Sequence, residues 1–408
     1  MPPRWTPWRV VVGFGVVSLA ADMVYEGARS VYGPLLAALG ASATAVGLVS
    51  GAGEAMALVL RLVFGPLADR TGAYWSWTIL GYGLTAVSVP LLALAPRLGA
   101  AGLAVAATLI LLERLGKAIR SPSKSALLAH AAAAVGRGRG FGVHKALDQL
   151  GAFAGPMTVA AVIASSGSLW NGMAVLALPG ALAMALLVVI RGAVPDPAVL
   201  DPSASSGTNQ VVRQGFRARL GDALGAGLPR DFIAYAVAAS LTAGGLVTFG
   251  LIGYHLVARE LLTTQAVPVV YAGAMLIEAV AALGVGAAYD RLGARLLVLV
   301  PVFVAAVPAL AFAGRLTFVM SGIALWALAA GVQDSTVKAV VAELVDAPRR
   351  ATAYGVFAGI PGTFAIGGGL VAGWLYERSL PALVTVVAAT QLAAFVLLAR
   401  TLRHAPSQ

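Results

Sequence analysis

The sequence predicts an all-α integral membrane protein. Twelve transmembrane helices are expected in two pseudo-symmetric six-helix bundles, with the N- and C-termini cytoplasmic. Three observations predict this. Of the 408 residues, 59% are hydrophobic and 11% charged, where a soluble domain is roughly a quarter charged. No soluble interior hides that much apolar surface, so the solvent must be lipid. The apolar residues also fall in runs of about 20, enough to cross a hydrocarbon core. Finally, GPLADRTG at 65–72 returns as GAAYDRLG at 286–293, a spacing that marks a duplicated unit.

Breaking the chain at charges, Pro and Gly gives spans near 10–38, 44–68, 76–95, 100–120, 140–165, 169–191, 230–257, 264–289, 294–314, 317–343, 350–376 and 380–401. The start, MPPRWTPWRVVVGFGVVSLA, imitates a secretory signal. Cleavage is not expected, because the apolar run continues to Leu39 past Asp22 and Glu26. With the N-terminus inside, 21 of the 28 Lys and Arg fall on the cytoplasmic side and four on the other. That bias fixes the orientation and accounts for the net charge of +11 without nucleic acid. Trp5, Trp8, Trp75 and Trp77 read as interfacial anchors.

The long connection between spans 6 and 7 opens Pro/Asp/Ser-rich. It then places Val212, Phe216, Leu220 and Leu224 four apart beside Arg213, Arg217 and Arg219, as in a short amphipathic helix on the inner leaflet. The expected organisation is therefore an N-terminal bundle over 1–191, a cytoplasmic linker over 192–229 and a C-terminal bundle over 230–408. A second pair of related stretches, RGFGVHKALDQLGAFAGP and ATAYGVFAGIPGTFAIGGG, supports the duplication. The chain lacks Cys and its four His are scattered, so no disulfide, metal site or cofactor is expected.

The intramembrane charges are the candidate functional residues. At 100° per residue, Asp22, Glu26 and Arg29 share an arc of about 60° on span 1. Each would cost roughly 2.5–3.5 kcal/mol at mid-membrane on insertion scales, so the stripe must face the bundle interior or a watery cavity. Glu26 and Arg29 are spaced to pair. Span 2 carries Glu54 and Arg61 on one face, span 5 Asp148, span 8 Glu278, and span 10 Asp334 with Lys338. Span 4 carries Glu113 and Arg114, then Lys117 and Arg120 near its cytoplasmic end. A desolvated carboxyl can exchange a proton near neutral pH, so Asp22, Glu26, Arg29, Glu54, Arg61, Asp148 and Glu278 are read as the coupling and substrate set. Glu26–Arg29 and Asp334–Lys338 also read as structural pairs. His255 reads as a satisfied polar group, and His144 as a lesser relay candidate. Seven buried acids against four buried bases (Arg29, Arg61, Arg114, Lys338) suggest an acidic interior that favours cations.

With these residues in view, the chain resembles the major facilitator superfamily along essentially its whole length. Gly65, Leu67, Ala68, Asp69, Arg70 and Gly72 match that family's signature between helices 2 and 3, although Ala73 and Tyr74 stand where basic residues are usual. Gly151, Gly155 and Pro156 resemble the helix-5 motif of its proton-driven drug antiporters, and the stretches ERLGKAIRSPSKSALLA and GRGRGFGVHKALDQLG resemble a little-characterised bacterial branch. The resemblance implies a twelve-helix transporter working by alternating access, not an enzyme. It implies a cytoplasmic gate built from Gly65, Asp69, Arg70 and Gly72, with Glu113, Arg114, Arg120 and Asp334 in its charge network. Asp69 would latch the N-terminus of span 11, which Gly355, Gly359, Pro361 and Gly362 make slim and bendable. Asp290, Arg291 and Gly293 would form the symmetric copy against span 5.

Three readings of function follow. The leading one is proton-coupled export of an amphipathic or cationic compound. The second is proton symport bringing a small organic metabolite inward, with Arg29 or Arg61 holding an anionic group. The third is lipid flipping. An intramembrane aspartyl hydrolase built on Asp22 and Asp148 leaves the duplicated motifs unexplained. The expected partners are a small-molecule substrate and membrane lipids, in a multi-pass inner-membrane monomer. Sodium could replace the proton on the same carboxylates.

Overall fold

A computed structural model describes residues 5–200, 229–345 and 350–403. The described residues are helical throughout, apart from turns and short 3-10 segments. In chain order the helices are α1 (Pro7–Arg29), α2 (Tyr32–Ala38), α3 (Ala43–Val59), α4 (Arg61–Thr71), α5 (Tyr74–Leu91), α6 (Gly102–Val135), α7 (Arg137–Ser166), α8 (Leu169–Ala174) and α9 (Ala177–Ala193). After the linker come α10 (Arg230–Gly245), α11 (Phe249–Ala258), α12 (Val267–Leu292), α13 (Leu299–Ala311), α14 (Leu316–Leu344), α15 (Arg350–Arg378) and α16 (Leu380–Arg403). Among the described residues nine helical stretches are long and apolar enough to cross a membrane. The amphipathic helix expected over 212–224 lies outside the described residues.

The helix ends follow from local chemistry. Pro7 opens α1, and the Thr6 hydroxyl accepts from the Arg9 N–H, satisfying an orphan donor of the first turn. Gly72 closes α4 at φ 63° and Gly293 stands at φ 60° after α12. The two copies of the repeated motif thus end in the same left-handed turn, where a Cβ is disfavoured. Gly136, at φ 93°, separates α6 from α7.

The chain packs as two compact units. The first comprises Met1–Leu39, Leu60–Val212 and Thr264–Ala272, and the second Gly40–Val59, Arg213–Thr263 and Gly273–Gln408. In the first unit, Val10, Phe14, Val17, Leu128 and Ile190 form an apolar core where α1, α6 and α9 meet. Trp75 is 8% exposed and stacks on Phe14 with ring centroids 5.6 Å apart. Its indole belongs to that core, which corrects the anchor expected at this position. In the second unit α3 lies along α15. A Cβ on Gly47 would fall 2.2 Å from the Gly369 carbonyl oxygen, and one on Gly373 would fall 2.3 Å from that of Ala43. Small residues let two backbones meet where no hydrophobic force drives helices together in lipid.

The first unit corrects one boundary. Span 4 was expected to stop near residue 120, with Lys117 and Arg120 at its cytoplasmic end and Lys124 beyond it. Instead α6 continues to Val135 through Pro122. Arg120 is buried, donates to the Thr85 hydroxyl and lies over the Tyr82 ring. Rings and hydroxyls meet these cations inside the bundle.

Candidate functional site: a charged cluster in the first unit

The close crossing of α1 and α7 builds the site. A Cβ on Gly151 would lie 2.2 Å from the Leu19 carbonyl oxygen, and one on Gly155 2.3 Å from that of Met23. Only glycine permits this approach. The helix-5 motif therefore has a direct physical role here: it sets α7 against the turn of α1 that carries Asp22. At that level the Asp22 and Asp148 carboxyls come within reach of each other.

Cations surround the pair. Lys145 Nζ stands 3.1 Å from Asp148 Oδ2, one turn back on α7. Lys124, from α6, donates to the Ser18 hydroxyl at 3.0 Å and lies within electrostatic reach of both acids. Lys124 Nζ is also 3.1 Å from His144 Nε2. An ammonium has only donors, so Nε2 accepts and the neutral ring carries its proton on Nδ1. That buried Nδ1 has no hydrogen-bond partner.

A second group of charges begins one helical turn further along α1. Arg29 pairs with Glu26 at 3.7 Å, as the spacing predicts. Glu26 also accepts from the Tyr271 hydroxyl at the start of α12. Glu113 is fully buried, 3.3 Å from Arg114 Nε and 3.5 Å from the Tyr32 hydroxyl. Arg114 donates in turn to the Tyr25 hydroxyl and lies over its ring, 4.6 Å from the centroid. The sequence reading missed the tyrosines that organise these charges. The only signal was their place on the charged stripe, with Tyr25 beside Glu26 and Tyr32 three residues after Arg29.

The remaining candidates lie elsewhere. Glu54 is half-buried on α3, and Arg61 opens α4 beyond a break at Leu60. Glu278 is half-buried on α12, where a Cβ on Gly331 of α14 would fall 2.6 Å from its carbonyl oxygen. Asp69 is exposed at the end of α4 and accepts from the Tyr74 hydroxyl at 3.0 Å, while Trp77 donates to Thr71. Tyr74 thus holds the motif's carboxylate where a basic residue was expected. Glu113 and Asp69 hydrogen-bond to different partners. The side chains of Asp290, Arg291 and Asp334 lie outside the described residues. His255 of α11 is satisfied on both nitrogens, with Nδ1 2.8 Å from the Tyr376 hydroxyl and Nε2 3.2 Å from the Ala313 carbonyl.

A chain of long apolar helices with charged side chains packed inside one unit fits a class, the multi-pass membrane transporters. Comparison with known proteins makes the class specific. The Major Facilitator Superfamily profile matches residues 14–358, and the chain belongs to that superfamily. It is 47% identical over 408 residues to "Uncharacterized protein Rv2265" of Mycobacterium tuberculosis (strain ATCC 25618 / H37Rv), across 99% of this chain and 96% of the relative. It is 25% identical over 381 residues to "Uncharacterized MFS-type transporter MJ1317" of Methanocaldococcus jannaschii, across 90% of this chain and 88% of the relative. Among solved structures, the nucleoside transporter NupG superposes with a TM-score of 0.70 at 13% identity, over 97% of this chain and 99% of that one. A POT family transporter in complex with 5-aminolevulinic acid gives 0.73 at 13% identity, over 98% and 96%. At these identities the structural likeness speaks for the fold alone.

Proposed function

We propose that this protein is a proton-coupled secondary transporter of the cytoplasmic membrane, with twelve crossings and both termini inside. It moves a small organic molecule by alternating access and carries its proton on the Asp22–Asp148 pair. The observation that carries this reading is the approach of those two carboxyls at the close crossing of α1 and α7, where two like charges favour a proton held between them. One proton neutralises the pair to a single negative charge. Its loss leaves two carboxylates, which Lys124 and Lys145 balance from α6 and α7. Two protonation states of one buried pair differ in charge, so they favour different conformations, and a ligand binding one of them better shifts the population.

The charge inventory bears on direction. The sequence reading favoured export of a cation because it counted an acidic interior. With Lys117, Arg120 and Lys124 on α6 inside the first unit, the acids there no longer outnumber the bases. That favours the second reading, symport of a metabolite with the proton. Asp69, held by Tyr74, remains proposed as a gate element: Asp69→Asn is expected to slow turnover rather than weaken solute binding.

The test is a liposome assay with a pH-sensitive dye in the lumen. Adding solute outside should acidify the lumen for a symporter and alkalinise it for an antiporter. Asp22→Asn and Asp148→Asn should each abolish the signal while the protein still folds and inserts. Normal proton movement in both variants would refute the assignment.

A further inference from the structure

Among the described residues, cations outnumber carboxylates around Tyr25. Three cations gather at this one ring: Lys117 Nζ at 3.7 Å from its centroid, Arg114 Cζ at 4.6 Å and Arg29 Cζ at 5.8 Å. Among the described residues two carboxylates answer them, Glu113 beside Arg114 and Tyr32, and Glu26 beside Arg29 and Tyr271, with Lys117 and Arg120 also within electrostatic reach of Glu113. Lys117 has no carboxylate within ion-pair distance among the described residues, and its contact is the π face of Tyr25. An aromatic face attracts an ammonium but does not neutralise it. A half-buried ammonium in the interior of a membrane protein ordinarily has an anionic counterpart.

We propose that Lys117 and Tyr25 form the subsite for the carboxylate of a small organic acid, the transported solute. The donors select the class. One ammonium and one hydroxyl fit the two oxygens of a carboxylate, whereas a cation would add to the positive excess among the described residues. Tyr25 supplies a second element. Its hydroxyl accepts from Arg114, and its own O–H has no acceptor among the described residues, so it is free to donate to an anion. Arg29 lies 3.7 Å from Glu26, at the edge of ion-pair reach. It can shift its bond toward an arriving carboxylate while Tyr271 keeps Glu26 in place. Glu113 is fully buried behind this arrangement and acts as the counter-charge of Arg114 rather than as a ligand. The subsite begins a single turn of α1 from the Asp22–Asp148 pair, so an anion and a proton would travel on neighbouring turns of one helix.

This inference rests on the transporter reading, and its test separates the two. The full chain is reconstituted and assayed by counterflow, which needs no proton gradient, with labelled lactate and benzoate as monocarboxylates and labelled tetraphenylphosphonium as the cation. Wild type should exchange a monocarboxylate and not the cation. Lys117→Gln should raise the half-saturating concentration by about tenfold, the loss expected for one charge-assisted contact, while Lys117→Arg should recover part of it. Exchange of the cation alone, exchange of neither class, or unchanged saturation in Lys117→Gln would overturn the proposal. Should Lys117→Gln not fold, the wild-type exchange and the Lys117→Arg saturation curve still decide the matter. Counterflow with silent proton movement would sink the Asp22–Asp148 assignment and leave the anion subsite standing.

Discussion

Replacing Gly151 with alanine adds one methyl group at the point where α1 and α7 touch. That methyl would stand 2.2 Å from the Leu19 carbonyl oxygen and 2.9 Å from Leu19 Cα. Ordinary carbon–oxygen contacts are about 3.3 Å or longer, so the helices must part by on the order of 1 Å. Both obstructing groups are backbone and cannot rotate away. Overpacking of this kind costs about 1–3 kcal/mol, set against a helix-propensity gain of about 1 kcal/mol for Gly→Ala. The net loss of stability is therefore modest, and the loss of function should exceed it. Asp22 and Asp148 each lie three residues from this contact, and a hydrogen bond does not survive being stretched by 1 Å. The assay pairs thermal unfolding of the purified protein with lumen-pH traces in liposomes. Gly142→Ala is the control, on the same helix but with open space around its added Cβ. The account predicts a small drop in melting temperature and nearly complete loss of proton movement for Gly151→Ala, with neither change for Gly142→Ala. Full proton coupling in Gly151→Ala would refute the claim that this crossing holds the acid pair together.

Two further predictions concern the helix ends. Gly72→Ala and Gly293→Ala should each destabilise by about 1–2 kcal/mol through the left-handed backbone alone, since no neighbour lies within 4 Å of either added Cβ; equal stability in a thermal melt would contradict the reading of the duplicated motif. Glu377, just beyond the last apolar turn of α15, accepts from the Thr44 N–H at 2.9 Å and hydroxyl at 2.6 Å. Slight burial pushes its carboxyl up, but the hydrogen bonds from Thr44 outweigh that and hold it below the usual carboxylate range. A carboxyl lowered on folding stabilises above its unfolded pKa, and the contribution is lost as pH falls through the lower folded value. Glu377→Gln should thus cost about 1 kcal/mol or less at pH 7, because the site is exposed and screened. The gap from wild type should close below about pH 4, and a gap independent of pH would exclude the carboxylate as its source.

Much of this architecture was legible because lipid imposes a simple code. The apolar runs and the duplicated motif required no knowledge of packing, and Gly72 and Gly293 announced their turns by being glycine. The Glu26–Arg29 pair followed from helical spacing. What stayed hidden was how charges are satisfied without water. Lys117, Arg120 and Lys124 look like the end of a span to a hydropathy window, because the window cannot see that Tyr25, Tyr82, Thr85 and Ser18 will face them. That one reading ended span 4 early and left these three cations out of the count of interior charges. Asp22 and Asp148 were both chosen as candidates, yet their meeting depends on Gly151 and Gly155 from a helix more than a hundred residues away. Trp75 read as an anchor because its partner, Phe14, comes from a different helix.

The central claim is that one proton is shared by Asp22 and Asp148. Infrared difference spectroscopy of the reconstituted protein, stepped between neutral and alkaline pH, tests it most directly. The account predicts a single protonated-carboxyl band at neutral pH that is lost on alkalinisation and absent from both Asp22→Asn and Asp148→Asn. A band that persists unchanged in both variants would place the proton on another acid and contradict the account.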